Sequence, residues 1–253
     1  MWTASPALAT GLALGIAPQW PLLLAAVLMA GATGGMWTLP AGWEADERDR
    51  GGESLARTLL RGWPIYITGA AAMSLLALAE LVLPALLEQR SIPVGWAGPL
   101  LAGFSIASAA GAAGYGWRSH WPGSLRAQSL VLLTGVTGCV TIVALAGSLP
   151  WLLAALLVAG LLAAGVNVTR NLSLREALPQ SAHAAAYSVL YAAIGLGYAG
   201  SAVLAGAVQA TAPPSVAVLA GVGFTVLLIA ASAWGELRER RPAAAPADQR
   251  AGS

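Results

Sequence analysis

Lysine is absent from this chain, and all thirteen basic residues are arginine. Charge of either sign is scarce: 9% of residues are charged, against roughly 25% in a soluble domain. A net charge of +2 with no basic stripe excludes a nucleic-acid surface. One cysteine, Cys139, excludes an internal disulfide. With only His120 and His183 beside it, no ordinary Cys/His metal site can form, so neither metal nor cofactor is expected. Clustered acids or a Ser/His pair are also missing, which argues against an enzyme. Phenylalanine occurs twice, yet tryptophan occurs ten times.

What is abundant is apolar: 57% of the 253 residues are hydrophobic. Six runs approach the ~20 residues that cross a hydrocarbon core. They are Gly62–Leu87, Val94–Trp117, Ala127–Ser148, Leu149–Thr169, Ala182–Gln209 and Ser215–Trp234. Trp20–Thr38 is a seventh. A further stretch from Thr3 to Ala17 reaches only ~22 Å at ~1.5 Å per residue and reads as the tail of a longer helix. The lipid bilayer is therefore the first expected partner.

The connections alternate. "PQW", "GSLP" and "QATAPP" are short and uncharged, whereas "AGWEADERDRGGESLARTLLR", "WRSHWPGSLR", "RNLSLREALPQSAH" and "ELRERRPAAAPADQR" carry the charge. Twelve arginines fall in the second set; the thirteenth, Arg90, lies on the connection after Leu87, at the opposite end from them. The positive-inside rule then places the arginine-rich connections and both termini in the cytoplasm of a multi-pass cell-membrane protein. Trp20, Trp96 and Trp151 fall at expected outer ends, and Trp37, Trp63, Trp117, Trp121 and Trp234 at inner ends, where indole rings anchor helices. The Ala/Pro-rich tail cannot build a core and is expected to be disordered.

Small residues mark packing faces. Ala193, Gly197, Ser201 and Ala205 recur every four residues, forming one smooth stripe suited to close helix approach. Tyr187, Tyr191 and Tyr198 share a second face of the same run. Packing and the polar lining of a cavity are both open for them. Asn167, at the inner end of its run, leaves the same two readings.

One acid stands apart. Glu80 has no charged residue within seven positions on either side. A mid-bilayer acid costs about 2.5–3.5 kcal/mol on insertion scales. Glu80 should therefore face the bundle interior or water, or stay protonated, which makes it a candidate proton carrier. Tyr66 and Met73 lie within about 40° of it on a helix and Ala77 within about 60°, and Pro84 follows one turn later.

Three features together resemble the major facilitator superfamily of secondary transporters. Six full crossings follow a long charged linker. "GAAGYGWRSHWPGSLR" resembles that family's Gly- and Arg-rich cytoplasmic loop motif, here Gly111, Gly114, Arg118, Gly123 and Arg126. "REALPQSAHAAAYSVLYAAIGLGYAG" resembles its approach to the eleventh helix. The resemblance implies an all-α integral membrane bundle in which residues 1–40 are a remnant of the N-terminal half. Residues 41–61 would be a cytoplasmic linker, 62–234 the six C-terminal helices, and 235–253 the tail. The loop lacks the acid that the motif carries, and Gln180 and His183–Ala184 stand where the family often has an acid and an Arg–Gly pair. The implied function is proton-coupled efflux of a small molecule. An amphiphilic substrate fits best, because the expected lining is apolar and phenolic and no cation is expected inside. The alternative is an inactive fragment or split-gene half that lacks its N-terminal partner.

Overall fold

The computed structural model describes residues 54–118 and 121–239, together with the isolated helical positions 27 and 31. A short α1 (Leu55–Leu60) leads into α2 (Trp63–Gln89), α3 (Ala97–Trp117), α4 (Leu125–Leu145), α5 (Leu149–Ala177), α6 (His183–Gln209) and α7 (Pro214–Glu239). Among the described residues there is no strand. The last six helices are long and apolar enough to cross a membrane. Even the shortest, at 21 residues, spans ~30 Å. These helices match the six apolar runs of the sequence. The expected remnant at 1–40 and most of the linker lie outside the described residues.

Local chemistry sets the helix ends. Pro64 and Pro150 occupy the first turns of α2 and α5, where a missing N–H costs nothing. The Ser124 hydroxyl accepts from the Ala127 amide at 3.3 Å and caps α4. After α2 the chain reverses through Ser91 at φ 56°, with Ile92 N–H donating to Leu87 at 2.9 Å and Ser91 N–H to Glu88 at 3.0 Å. This is the left-handed closure usually given to glycine. Arg90 follows α2 and donates to the last carbonyls of α4, Val143 at 2.9 Å and Ala144 at 2.6 Å. Among the described residues, the one arginine away from the arginine-rich end therefore serves as a helix C-terminal cap.

The chain contains an internal repeat. α2 and α5 begin 86 residues apart (63 to 149), as do α3 and α6 (97 to 183). The 3₁₀ turns Val94–Trp96 and Gln180–Ala182 keep the same interval, as do the prolines before them, Pro93 and Pro179. Packing repeats too. α2 packs on α6 and α7, α5 packs on α3 and α4, and α4 meets α7. Exchanging α2–α4 with α5–α7 maps this scheme onto itself. Three crossings per unit is an odd number, so the second unit runs inverted relative to the first. The symmetry is not complete: α4 and α7 begin 89 residues apart (125 to 214), α6 packs along α7 while α3 and α4 barely meet, and α2 touches α4 while α5 and α7 barely meet.

Gly111 and Gly197 also obey the 86-residue interval. A methyl group on Gly111 would lie 2.9 Å from Leu161 Cα, and one on Gly197 would lie 2.6 Å from Ala70 Cα. Both glycines therefore permit backbone contact, at the α3–α5 seam and the α6–α2 seam respectively. The result centres on α2, which is two-thirds buried (67%), whereas α3 is only 11% buried.

Three expectations need correction. α7 runs through Glu239 rather than giving way to a disordered tail at 235; Glu236 is buried and Gly235 packs against the Trp63 ring. A charged residue marks the edge of an apolar run, but a helix can continue on polar contacts. Gly111 and Gly114 lie within α3, so the loop motif spans a helix end, a turn and the start of α4. Arg170, assigned by sequence to a charged connection, lies inside α5 and is 5% exposed.

Candidate functional site

Glu80 and Tyr198 meet across the α2–α6 seam. The Tyr198 hydroxyl donates to Glu80 Oε2 at 3.2 Å. Both side chains are half-buried, and Glu80 lines neither of the two cavities described below. Two features position them. Gly197, next to Tyr198, brings the α6 backbone against Ala70, and the Ser74 hydroxyl donates to the Gly197 carbonyl at 3.0 Å. Pro84 lacks an N–H, so it leaves the Glu80 carbonyl without its helical partner. The acid thus sits where α2 is locally weakest and where it is tied to its neighbour by side chains.

The other sequence candidates disperse. Tyr66 is buried with Leu174, Leu178 and Leu190 near the start of α2. It is 14 positions, ~21 Å along the helix, from Glu80. Its hydroxyl has no partner. Tyr187 accepts from Arg175 Nε at 3.3 Å, whereas Tyr191 is 65% exposed. Only Tyr198 of the phenolic stripe reaches the acid, because successive stripe residues meet different neighbours along α6. Asn167 faces Arg170, accepting from Nη2 at 2.6 Å, and its carbonyl accepts from Asn171 Nδ2 at 2.8 Å. Ser201, on the small-residue stripe, is fully buried and its hydroxyl is unpartnered.

The loop motif forms a compact turn. Tyr115 and Trp121 stack with centroids 4.8 Å apart, and Arg118 lies 5.2 Å from the Trp121 ring centroid. Gln128 supplies the acceptor for the Tyr115 hydroxyl and donates to the carbonyls of Trp121, Pro122 and Gly123. Gly123 takes φ 86°, a conformation that a side chain would strain. Arg126 turns inward to a polar cavity.

Two cavities lie in the bundle. One is small and apolar, lined by residues such as Leu78, Leu83, Val140 and Val218. The other is small and gathers Thr68, Arg126, Ser129, Arg170, Ser173 and Glu236 from four helices near the arginine-rich end. Sequence reasoning missed Arg170. The signal was present: buried positions Val166, Thr169, Arg170, Ser173 and Leu174 keep a helical period beyond the last apolar residue. Among the described residues no group of His, Cys, Asp and Glu could hold a metal. Comparison with family models, curated proteins and solved structures finds no match.

Proposed function

We propose that this chain is a secondary transporter of the major facilitator type, exporting a small amphiphilic molecule in exchange for protons. The observation that carries the reading is the inverted repeat at an interval of 86 residues. Transporter bundles built from inverted units rock one unit against another around a site near mid-membrane. Glu80 and Tyr198 lie seventeen and fifteen positions into helices of 27 residues, on the outer side of the midplane, within reach of such a site. They also lie on the seam that joins the two units.

The chemistry is a proton cycle on one carboxyl. An ionised Glu80 accepts a charge-assisted hydrogen bond from Tyr198. Proton uptake turns the carboxylate into a carboxylic acid, a weaker acceptor, and loosens the tie between α2 and α6. Proton release restores it. The substrate would act through differential affinity for the tied and loosened states. The lipid bilayer, protons and the small molecule are the proposed partners. The cell membrane is the proposed site, with the arginine-rich end cytoplasmic.

The test is flux of amphiphilic dyes in vesicles under an imposed proton gradient. Glu80→Gln should abolish gradient-driven transport while leaving dye exchange without a gradient, and Tyr198→Phe should slow the driven flux several-fold. Equal driven flux in wild type and Glu80→Gln sinks the coupling role. A second reading, that these helices act only when paired with another helical half, is favoured by exposed apolar side chains on α3 and α6. Ile106, Leu196 and Val203 are each at least 70% exposed. Flux appearing only on co-expression with such a half would select it.

A further inference from the structure

The polar cavity near the arginine-rich end is lined by two arginines, Arg126 and Arg170, and by one carboxylate, Glu236. Arg170 is 5% exposed, and of its guanidinium only Nη2 has a partner, the neutral Asn167 side chain. Its Nε and Nη1 are buried and unpartnered. Ser129 and Ser173, each 4% exposed, line the same space, and both hydroxyls are also unpartnered. Thr68 spends its hydroxyl hydrogen on the Pro64 carbonyl at 2.6 Å and has no donor to spare for an anion. Arg126 and Glu236 complete the lining, and both have other interactions. Their formal charges cancel, so the cavity carries the single positive charge of Arg170.

A buried ion is costly unless it is paired and hydrogen-bonded. Here two guanidinium N–H groups and two hydroxyls face a common space, and no carboxylate contacts Arg170 among the described residues. What the arrangement lacks is an acceptor carrying one negative charge. The space between the side chains is about that of one water molecule, so a halide enters only if the two serines and the guanidinium give by a few tenths of an ångström. We propose that this cavity is a binding site for one small monovalent anion of halide size, chloride being the natural candidate, held by Arg170, Ser129 and Ser173. The anion would neutralise the guanidinium and pin α4 to α5, since Ser129 lies on α4 and Arg170 and Ser173 on α5. The site is independent of Glu80 and of the transport reading.

The experiment uses the full chain in lipid nanodiscs, with melting followed in sodium chloride, sodium bromide or sodium gluconate at equal ionic strength. Binding to the folded state alone should raise Tm in chloride and bromide over gluconate by about 3–6 °C at a tenfold excess over Kd. The double substitution Ser129→Ala with Ser173→Ala should remove most of that difference while leaving the melting transition in gluconate intact. Chloride-35 line broadening on wild-type protein, competed by bromide but not by gluconate, reads occupancy without any variant. A Tm indifferent to anion identity overturns the proposal, as water filling the cavity would produce. So does an equal shift in the double variant, which would assign the effect to the surface, or a line width no greater than that of empty nanodiscs.

Discussion

The two seam glycines make a prediction whose size follows from geometry. Gly197→Ala places a methyl group on the Ala70 peptide, 2.6 Å from both its Cα and its carbonyl carbon. The obstruction is backbone, so no side-chain rotation relieves it and α6 must move off α2. Overpacking of this kind costs about 1–3 kcal/mol, with the upper half expected here. Against it stands a helix-propensity gain of at most about 1 kcal/mol for Ala over Gly. The net is a loss of about 1–2 kcal/mol, or a fall of about 2–8 °C in Tm for a chain of this size. The Ser74–Gly197 and Tyr198–Glu80 contacts should weaken with it. Gly111→Ala, obstructed by Leu161 backbone at 2.5–3.0 Å, should fall by a similar amount because it holds the equivalent seam. Gly195 and Gly114 have nothing within 4 Å of the added methyl, and their alanine variants should melt at or slightly above wild type. The assay is thermal unfolding in mild detergent, followed by tryptophan fluorescence. Gly197→Ala melting with Gly195→Ala would refute the close-approach argument. A large fall for one seam glycine but not the other would refute the equivalence of the two seams.

Arg90→Ala should destabilise by about 1.5–3 kcal/mol, since a charged donor to two α4 carbonyls is lost, while Arg90→Lys should recover part of it. Thermal unfolding measures both, and an unchanged Arg90→Ala would remove the capping role. In a Cys139→Ser background, a membrane-impermeant maleimide added to intact cells should label Ser148→Cys, on the α4–α5 connection. It should label Ser181→Cys, on the α5–α6 connection, only after permeabilisation. The reverse pattern would invert the assigned orientation.

The candidate site was half legible before the fold. Glu80 drew attention because an isolated acid in an apolar run is costly wherever it faces lipid. Tyr198 was one of three phenols on a face, and nothing in the spacing chose it over Tyr187 or Tyr191. That choice belongs to the crossing of α2 and α6, which puts Ala70 beside Gly197 and so Glu80 beside Tyr198. Gly111 read as part of a loop because the Gly- and Arg-rich pattern runs unbroken across a helix end. Its partner is Leu161, fifty residues away, and only the packing reveals it.

Composition and local order determined the solvent, the six crossings and their approximate limits. Each depends on properties a segment carries alone: length, hydropathy and turn residues. The interval of 86 residues is also written in the chain, but the two units share little beyond prolines and a glycine, so it emerges only when helix starts are aligned. Arg170 shows the remaining boundary. Whether a guanidinium at the end of an apolar run meets water or is enclosed depends on which helices close over it, and those come from positions 65 to 68, 126 to 129 and 236. Burial is a property of the assembled bundle, because the cost of a charge is set by its neighbours in space rather than along the chain.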